Sequence, residues 1–162
     1  MPFAMLGHFQ PFHKGHAELL IYLSKLNEVY VYPIIFERRD GKELLTRKNP
    51  FSYEQRKAMI RNVSKYCERE VIVRPDYKIK EPYLANYLKV PQLLGKFAAK
   101  CKIVTRDVGE AWITALLTTP FKVKLLPRTG PSGKEVRRLI FKEVLEGKKT
   151  DWREYVMPED NV

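Results

Sequence analysis

Long apolar runs are missing from this chain, and no stretch approaches the roughly 20 residues that a membrane-spanning helix needs, so no helical membrane span is expected. Cysteine is scarce. Cys67 and Cys101 lack any metal-ligand spacing, which argues against a zinc module and leaves two small apolar residues buried in a reducing compartment. Acidic side chains are in deficit, 19 Asp plus Glu against 30 Lys plus Arg, for a net charge of +11. Such an excess attracts anions through its long-range field. Nucleic acid is one such partner and a nucleotide triphosphate another. The chain has neither an aromatic-interleaved basic stripe nor a recognised nucleic-acid module, and this disfavours the first. Most of the lysines are accounted for by a solvated surface. There is no internal repeat, linker or low-complexity tract. The N-terminus lacks the shape of a secretory leader. The first motif lies so near Met1 that cleavage there would remove the first strand, so the cytoplasm is the expected compartment.

What is present is ordinary globular composition, 44% hydrophobic and 30% charged over 162 residues. That predicts one domain spanning residues 1–162 with its own core. Apolar runs at 2–6, 29–36, 71–73, 102–105 and 122–126 read as strands, the second interrupted by Pro33. Helical periodicity predicts helices after Gly15 and over 51–67, 82–100, 109–118 and 132–146, with a break at Pro91. Ser52 and Gln55 form a capping box for the second helix, and Met59, Ile60, Val63 and Cys67 mark its inner face. Residues 37–49 read as a polar loop able to cover a site. Strand-helix alternation predicts an α/β fold, a five-stranded parallel sheet with helices on both faces. Its ligands are expected beyond the carboxyl ends of the strands.

The most telling stretch is Gly7-His8-Phe9-Gln10-Pro11-Phe12-His13-Lys14-Gly15-His16. A strand runs into it and an amphipathic helix leaves it. His13 and His16 then share one side of the first helical turn. A helix start offers unpaired amides and a positive dipole end. Gly7 and Gly15, without a Cβ, permit close approach of an anion. Either histidine alone could be only a cap. The pair with both glycines points to a polyphosphate site.

A second glycine-rich turn, Thr129-Gly130-Pro131-Ser132-Gly133, opens a helix that carries Lys134, Arg137 and Arg138. Ser132 and Glu135 make a capping box, while Val136, Leu139, Ile140 and Val144 are expected to be buried. Cations crowd the positive end of a dipole favourably only when an anion joins them, so this too reads as a phosphate site.

The pattern Gly-x-Phe-x-Pro-x-His-x-Gly-His resembles the signature of the nucleotidylyltransferase superfamily. The fuller string is most similar to the archaeal type of nicotinamide-nucleotide adenylyltransferase, where His8 is usually arginine. The turn at 132–138 resembles that family's second motif, with Lys134 in place of threonine. Lys48-Asn49-Pro50-Phe51-Ser52-Tyr53-Glu54-Gln55-Arg56 resembles a third, whose leading basic residue contacts phosphate; Lys48 aligns with it and Arg47 is adjacent. Trp152-Arg153-x-Tyr155-Val156 resembles the family's closing stretch, read as packing. The resemblance implies a single Rossmann-like domain that transfers AMP from ATP to nicotinamide mononucleotide, with Mg2+ on the triphosphate and no protein metal site.

It further implies that His13, His16 and Arg137 are catalytic. Gly7, His8, Phe9, Gly15, Lys48, Ser132, Gly133, Lys134 and Arg138 would bind ATP. Asp76, Tyr83 and Asp107 would bind the mononucleotide, Tyr83 standing where the family has tryptophan and Asp107 where it has asparagine. Nicotinate mononucleotide, phosphopantetheine or flavin mononucleotide remain alternative acceptors. A non-catalytic nucleotide- or nucleic-acid-binding module of the same fold is the alternative of a different class. A homo-oligomer is expected on the same ground.

Overall fold

The computed structural model describes residues 1–105, 123–125 and 133–157. The predicted helix at 109–118 and the turn at 126–132 lie outside the described residues. Five strands, β1 (Phe3–Gly7), β2 (Val29–Pro33), β4 (Val71–Val73), β6 (Lys102–Thr105) and β7 (Val123–Leu125), form a sheet in the order β4-β2-β1-β6-β7. Every pairing in it is parallel. The remaining elements are β3 (Ile35–Glu37), β5 (Lys78–Lys80) and the helices α1 (Lys14–Leu26), α2 (Tyr53–Ser64), α3 (Tyr83–Tyr87), α4 (Val90–Lys100) and α5 (Gly133–Glu146). The result is an α/β, Rossmann-like fold.

Side chains of successive strand residues point to opposite faces, and the core divides accordingly. Met5, Val29, Val31 and Val104 pack with Leu20 and Leu23 of α1 and Ile60 and Val63 of α2. Ala4, Leu6, Tyr32 and Ile103 pack on the other face with Leu94, Phe97 and Ala98 of α4. Helices therefore cover both faces, as parallel strands buried on both sides require. From β1 the chain moves outward through β2 to β4, then returns to lay β6 on the opposite side of β1. The strand order therefore reverses between β1 and β6, the switch point beyond which such sheets hold ligands. The histidine-bearing segment begins at that point.

Four expectations change. The run 29–36 is two strands: after Pro33 the chain leaves the main sheet, and β3 pairs in parallel with β5 in a separate two-stranded sheet. β5 was not expected, because Lys-Ile-Lys reads as surface; its Ile79 alone is buried. The helix at 51–67 is shorter, with Ser52 as N-cap and its reciprocal bonds to Gln55 in place, and Cys67 is only half-buried. Val144 is 71% exposed, because burial along α5 falls away from the fully enclosed Val136 toward the carboxyl end. Among the described residues no helix is long and apolar enough to cross a membrane.

α5 ends at Gly147, whose φ of +70° is the left-handed conformation that glycine adopts without strain. The tail then folds back on the helix. Glu143 accepts hydrogen bonds from the Thr150 N–H (3.2 Å), Trp152 Nε1 (3.0 Å) and Arg153 Nη1 (2.9 Å). The bonds from Arg153 and Trp152, then that from Thr150, hold its carboxyl well below the ordinary 4.5, at about 2. A depressed carboxyl favours the folded tail above its ordinary value, and that advantage disappears as pH falls from 4.5 toward 2. In a Trp112→Phe background, Trp152 fluorescence should change across that window, and Glu143→Gln should abolish the change. A transition unaffected by Glu143→Gln would refute the assignment.

Candidate functional site

His13 is the N-cap of α1, with φ −94° and ψ 179°. Its Nδ1 accepts the Gly15 N–H at 3.1 Å, while the Nδ1 of His16 accepts the N–H of His13 at 3.2 Å. The two rings stack with centroids 3.8 Å apart. Two of the amides expected to be unpaired are therefore capped by imidazole. Because each Nδ1 acts as acceptor, the proton of each ring in its neutral form resides on Nε2. Phe9 meets the His16 ring edge-on at 5.0 Å, and Phe12 stacks on it at 5.3 Å. Packing thus holds the ring on two sides.

Phe9 has a φ of +51°, which turns its ring back over the strand end. A Cβ at Gly7 would lie 2.8 Å from that ring. On the Cβ side of Gly7 the space is taken by the Phe9 ring, which the turn requires. His8 is exposed, and its ring stacks on Phe36 at 6.3 Å.

Gln10 was not singled out from the sequence, yet it links the site's parts. Its side chain, with the residue 2% exposed, donates from Nε2 to the Phe51 carbonyl (2.9 Å) and accepts the Phe51 N–H on Oε1 (2.8 Å). Its backbone carbonyl accepts Nη1 of Arg137 at 2.6 Å, across 127 residues of sequence. The α5 backbone comes as close: a Cβ on Gly133 would lie 3.1 Å from the same carbonyl oxygen. The Arg47 guanidinium lies 5.2 Å from the centre of the Phe141 ring of α5. The histidine segment, the loop before α2 and the start of α5 are therefore neighbours.

Arg137 is half-buried, and desolvation lowers its pKa. It forms no ion pair with a carboxylate among the described residues, and the described bond uses one of its five N–H donors. Lys134 and Arg138 are exposed, as is Lys48. Asp76 is exposed, with Arg74 3.7 Å away. Tyr83 meets Phe36 edge-on at 5.9 Å, and its hydroxyl is enclosed with no hydrogen-bond partner among the described residues. His8 and Tyr83 thus share Phe36 as a neighbour. Ser132 and Asp107 lie outside the described residues.

Arg56 was also missed. It is fully buried, and Nη1 donates to the carbonyls of His8 (2.8 Å) and Ile34 (2.7 Å). Nε donates to the Ser52 carbonyl (3.3 Å), and Nη2 pairs with Glu43 (2.8 Å). Desolvation lowers its pKa and the Glu43 carboxylate opposes that shift. The signal was present in the sequence: Arg56 precedes Ile60 and Val63 at i, i+4, i+7, on the inward stripe of α2.

A profile of the cytidylyltransferase-like family matches residues 4–152. The chain belongs to that family, within the nucleotidylyltransferase superfamily, and is a nucleotidyltransferase. A structure of Plasmodium falciparum nicotinic acid mononucleotide adenylyltransferase complexed with NaAD has a similar fold, with a TM-score of 0.51 at 14% identity, covering 98% of this chain and 91% of that one. A structure of NadR protein in complex with NAD and AMP-PNP gives 0.53 at 13% identity, covering 89% of this chain and 43% of that longer one. No curated protein sequence matches this chain.

Removing one partner of a buried ion pair leaves the other charge uncompensated, at a cost of about 3–5 kcal/mol. Arg56→Ala should therefore destabilise the protein by about 3 kcal/mol or more in denaturant unfolding. The double variant Arg56→Met/Glu43→Leu should recover part of that loss. A single variant within about 0.5 kcal/mol of the parent would show that the guanidinium braces nothing.

Proposed function

We propose that the chain transfers the adenylyl group of ATP to nicotinamide mononucleotide, giving NAD and pyrophosphate. The observation that carries this reading is the Arg137–Gln10 contact, which sets the start of α5 beside the histidine segment. A half-buried guanidinium bonded only to a carbonyl among the described residues suits an arriving anion. The motif resemblance supplies the nicotinamide branch. The two structures of similar fold are described as bound to NaAD in one case and to NAD and AMP-PNP in the other.

In this reading a phosphate oxygen of the acceptor attacks the α-phosphorus of ATP in line. The bond to the bridging oxygen breaks, and pyrophosphate leaves with the electron pair. No covalent protein intermediate is required, since positioning and charge stabilisation carry such transfers. The Nε2–H groups of His13 and His16 donate to phosphate oxygens, His16 to the charge that develops at the α-phosphate. Arg137 holds the β- and γ-phosphates, assisted by Lys134, Arg138, Lys48 and the Ser132-Gly133 turn. Among the described residues no three His, Cys, Asp or Glu side chains gather as a metal cage. Mg2+ would enter with the triphosphate, as the motif resemblance implies, with water filling much of its shell. Asp76, Tyr83 and Asp107 are assigned to the mononucleotide, Tyr83 as an aromatic ring able to stack on the base.

Pyrophosphate release with ATP and Mg2+, measured against nicotinamide mononucleotide, nicotinate mononucleotide, phosphopantetheine and flavin mononucleotide, tests the acceptor. Turnover confined to either of the last two would overturn the nicotinamide assignment. His16→Ala should lower kcat about 10²- to 10³-fold. His16→Asn, which keeps an acceptor for the His13 amide, should lose kcat comparably while retaining more of the stability. Undiminished kcat in both would remove His16 from the chemistry.

Lys134 is further assigned to stand in for the arginine that the family usually has where this chain has His8. If so, His8→Arg and Lys134→Thr should combine non-additively in the KM for ATP. Simple additivity would exclude compensation.

A further inference from the structure

One concave surface carries a group of lysines that the adenylyl-transfer reading does not use. Between β5 and the α3–α4 elements lies a cavity of about 420 Å³ whose wall carries Lys78, Lys80, Lys89 and Lys96. The fold dictates this convergence. In β5, Ile79 turns into the core, so Lys78 and Lys80 both turn outward on one side. On α4, Lys89, Gln92, Leu93 and Lys96 follow one another at i, i+3, i+4 and i+7, so one helix face turns toward the strand's lysines. Asp76 also lines the cavity and is the one lining residue that the acceptor assignment uses.

Not all of this charge is available. Lys78 is 3.5 Å from a Glu37 carboxylate oxygen, and the Asn86 amide donates to the Lys80 carbonyl at 2.8 Å. That leaves the ammonium groups of Lys80, Lys89 and Lys96, which have no carboxylate partner among the described residues. Lys89 occupies the N-cap of α4, a helix start with no side-chain cap and no acidic residue in its first turn. The positive ammonium there adds to the positive dipole end instead of offsetting it. Val90 and Leu93 form apolar wall, and a low-dielectric wall focuses the field of the surrounding charges into the concavity. Lys89 and Lys96 are two helical turns apart, about 10 Å, farther than one phosphate group reaches.

We propose that this cavity is a second anion site, taking a small molecule with two or more phosphate groups. The concave shape favours a small ligand over a nucleic acid, which would track an open groove and stack on exposed aromatic rings. The inference rests on Lys80, Lys89 and Lys96, none of which the adenylyl-transfer reading uses.

The test uses inorganic tripolyphosphate as probe, with calorimetry on the full chain carrying His16→Ala and Arg137→Ala, so that the proposed ATP site is disabled. That protein should still bind about one tripolyphosphate per chain. Adding Lys80→Gln, Lys89→Gln and Lys96→Gln should weaken the binding at least about tenfold. These lysines are exposed, so the thermal unfolding midpoint should stay unchanged and exclude misfolding as the cause. Absence of saturable binding before the lysine changes, or equal binding after them, would overturn the proposal. So would a single-stranded oligonucleotide that displaces tripolyphosphate at equal phosphate concentration, since the surface would then belong to nucleic acid. None of these outcomes touches the His16 measurement, which contains the acceptor and reads turnover.

Discussion

Three segments distant in the sequence are held in register by one buried amide residue. Gln10 presents its side chain to both backbone groups of Phe51 and its own carbonyl to Arg137. The match is dimensional as well as polar. Asparagine would be one methylene short, and glutamate would lose the Nε2 donor and leave the Phe51 carbonyl without it. On the other side of Phe9, Arg56 grips the His8 carbonyl together with that of Ile34. The backbone on either side of Phe9 is thereby clamped, which is the situation in which a non-glycine residue can keep a left-handed conformation. The turn that aims the histidines is fixed by its neighbours more than by its own propensity.

In the proposed reaction, capping and chemistry at α1 are parts of one arrangement. Both imidazoles use Nδ1 to hold backbone amides at the helix start, and this places the remaining ring proton on Nε2. Either histidine, considered alone, is adequately explained as a cap. What a cap alone does not require is their parallel stacking, with Phe9 and Phe12 packed around His16. An aromatic collar of this kind restricts the ring's rotation, so a donor directed outward from it keeps its direction.

The layout could be read from the sequence where periodicity is long. The alternation of strands and helices, the Ser52–Gln55 cap, the break at Pro91 and the interruption at Pro33 all follow from local chemistry. The short β3–β5 sheet could not be read, because a three-residue strand with one apolar position carries too little period-2 signal. The histidine pair and Arg137 stood out by residue type. Gln10 did not, since an amide pairing with a backbone 41 residues away leaves no local trace. Arg56 falls between these cases: a charged residue on an apolar stripe is a visible anomaly, but only a structure says which carbonyls it serves. At Gly7 the missing Cβ admits the Phe9 ring, a use that glycine in a turn does not announce in the sequence.

β1 feeds both halves of the interior, Met5 into the layer under α1 and α2, Ala4 and Leu6 into the layer under α4. Phe9 and Phe12, which support the histidines, belong to the first layer, whereas Phe36 and Tyr83 lean on the second. A lineage descending from this chain could therefore remodel the α4 side, and with it the surroundings of Tyr83 to which the acceptor is proposed to bind, through changes that leave the α1 side undisturbed. Divergence in one half would be buffered from the other by a single five-residue strand.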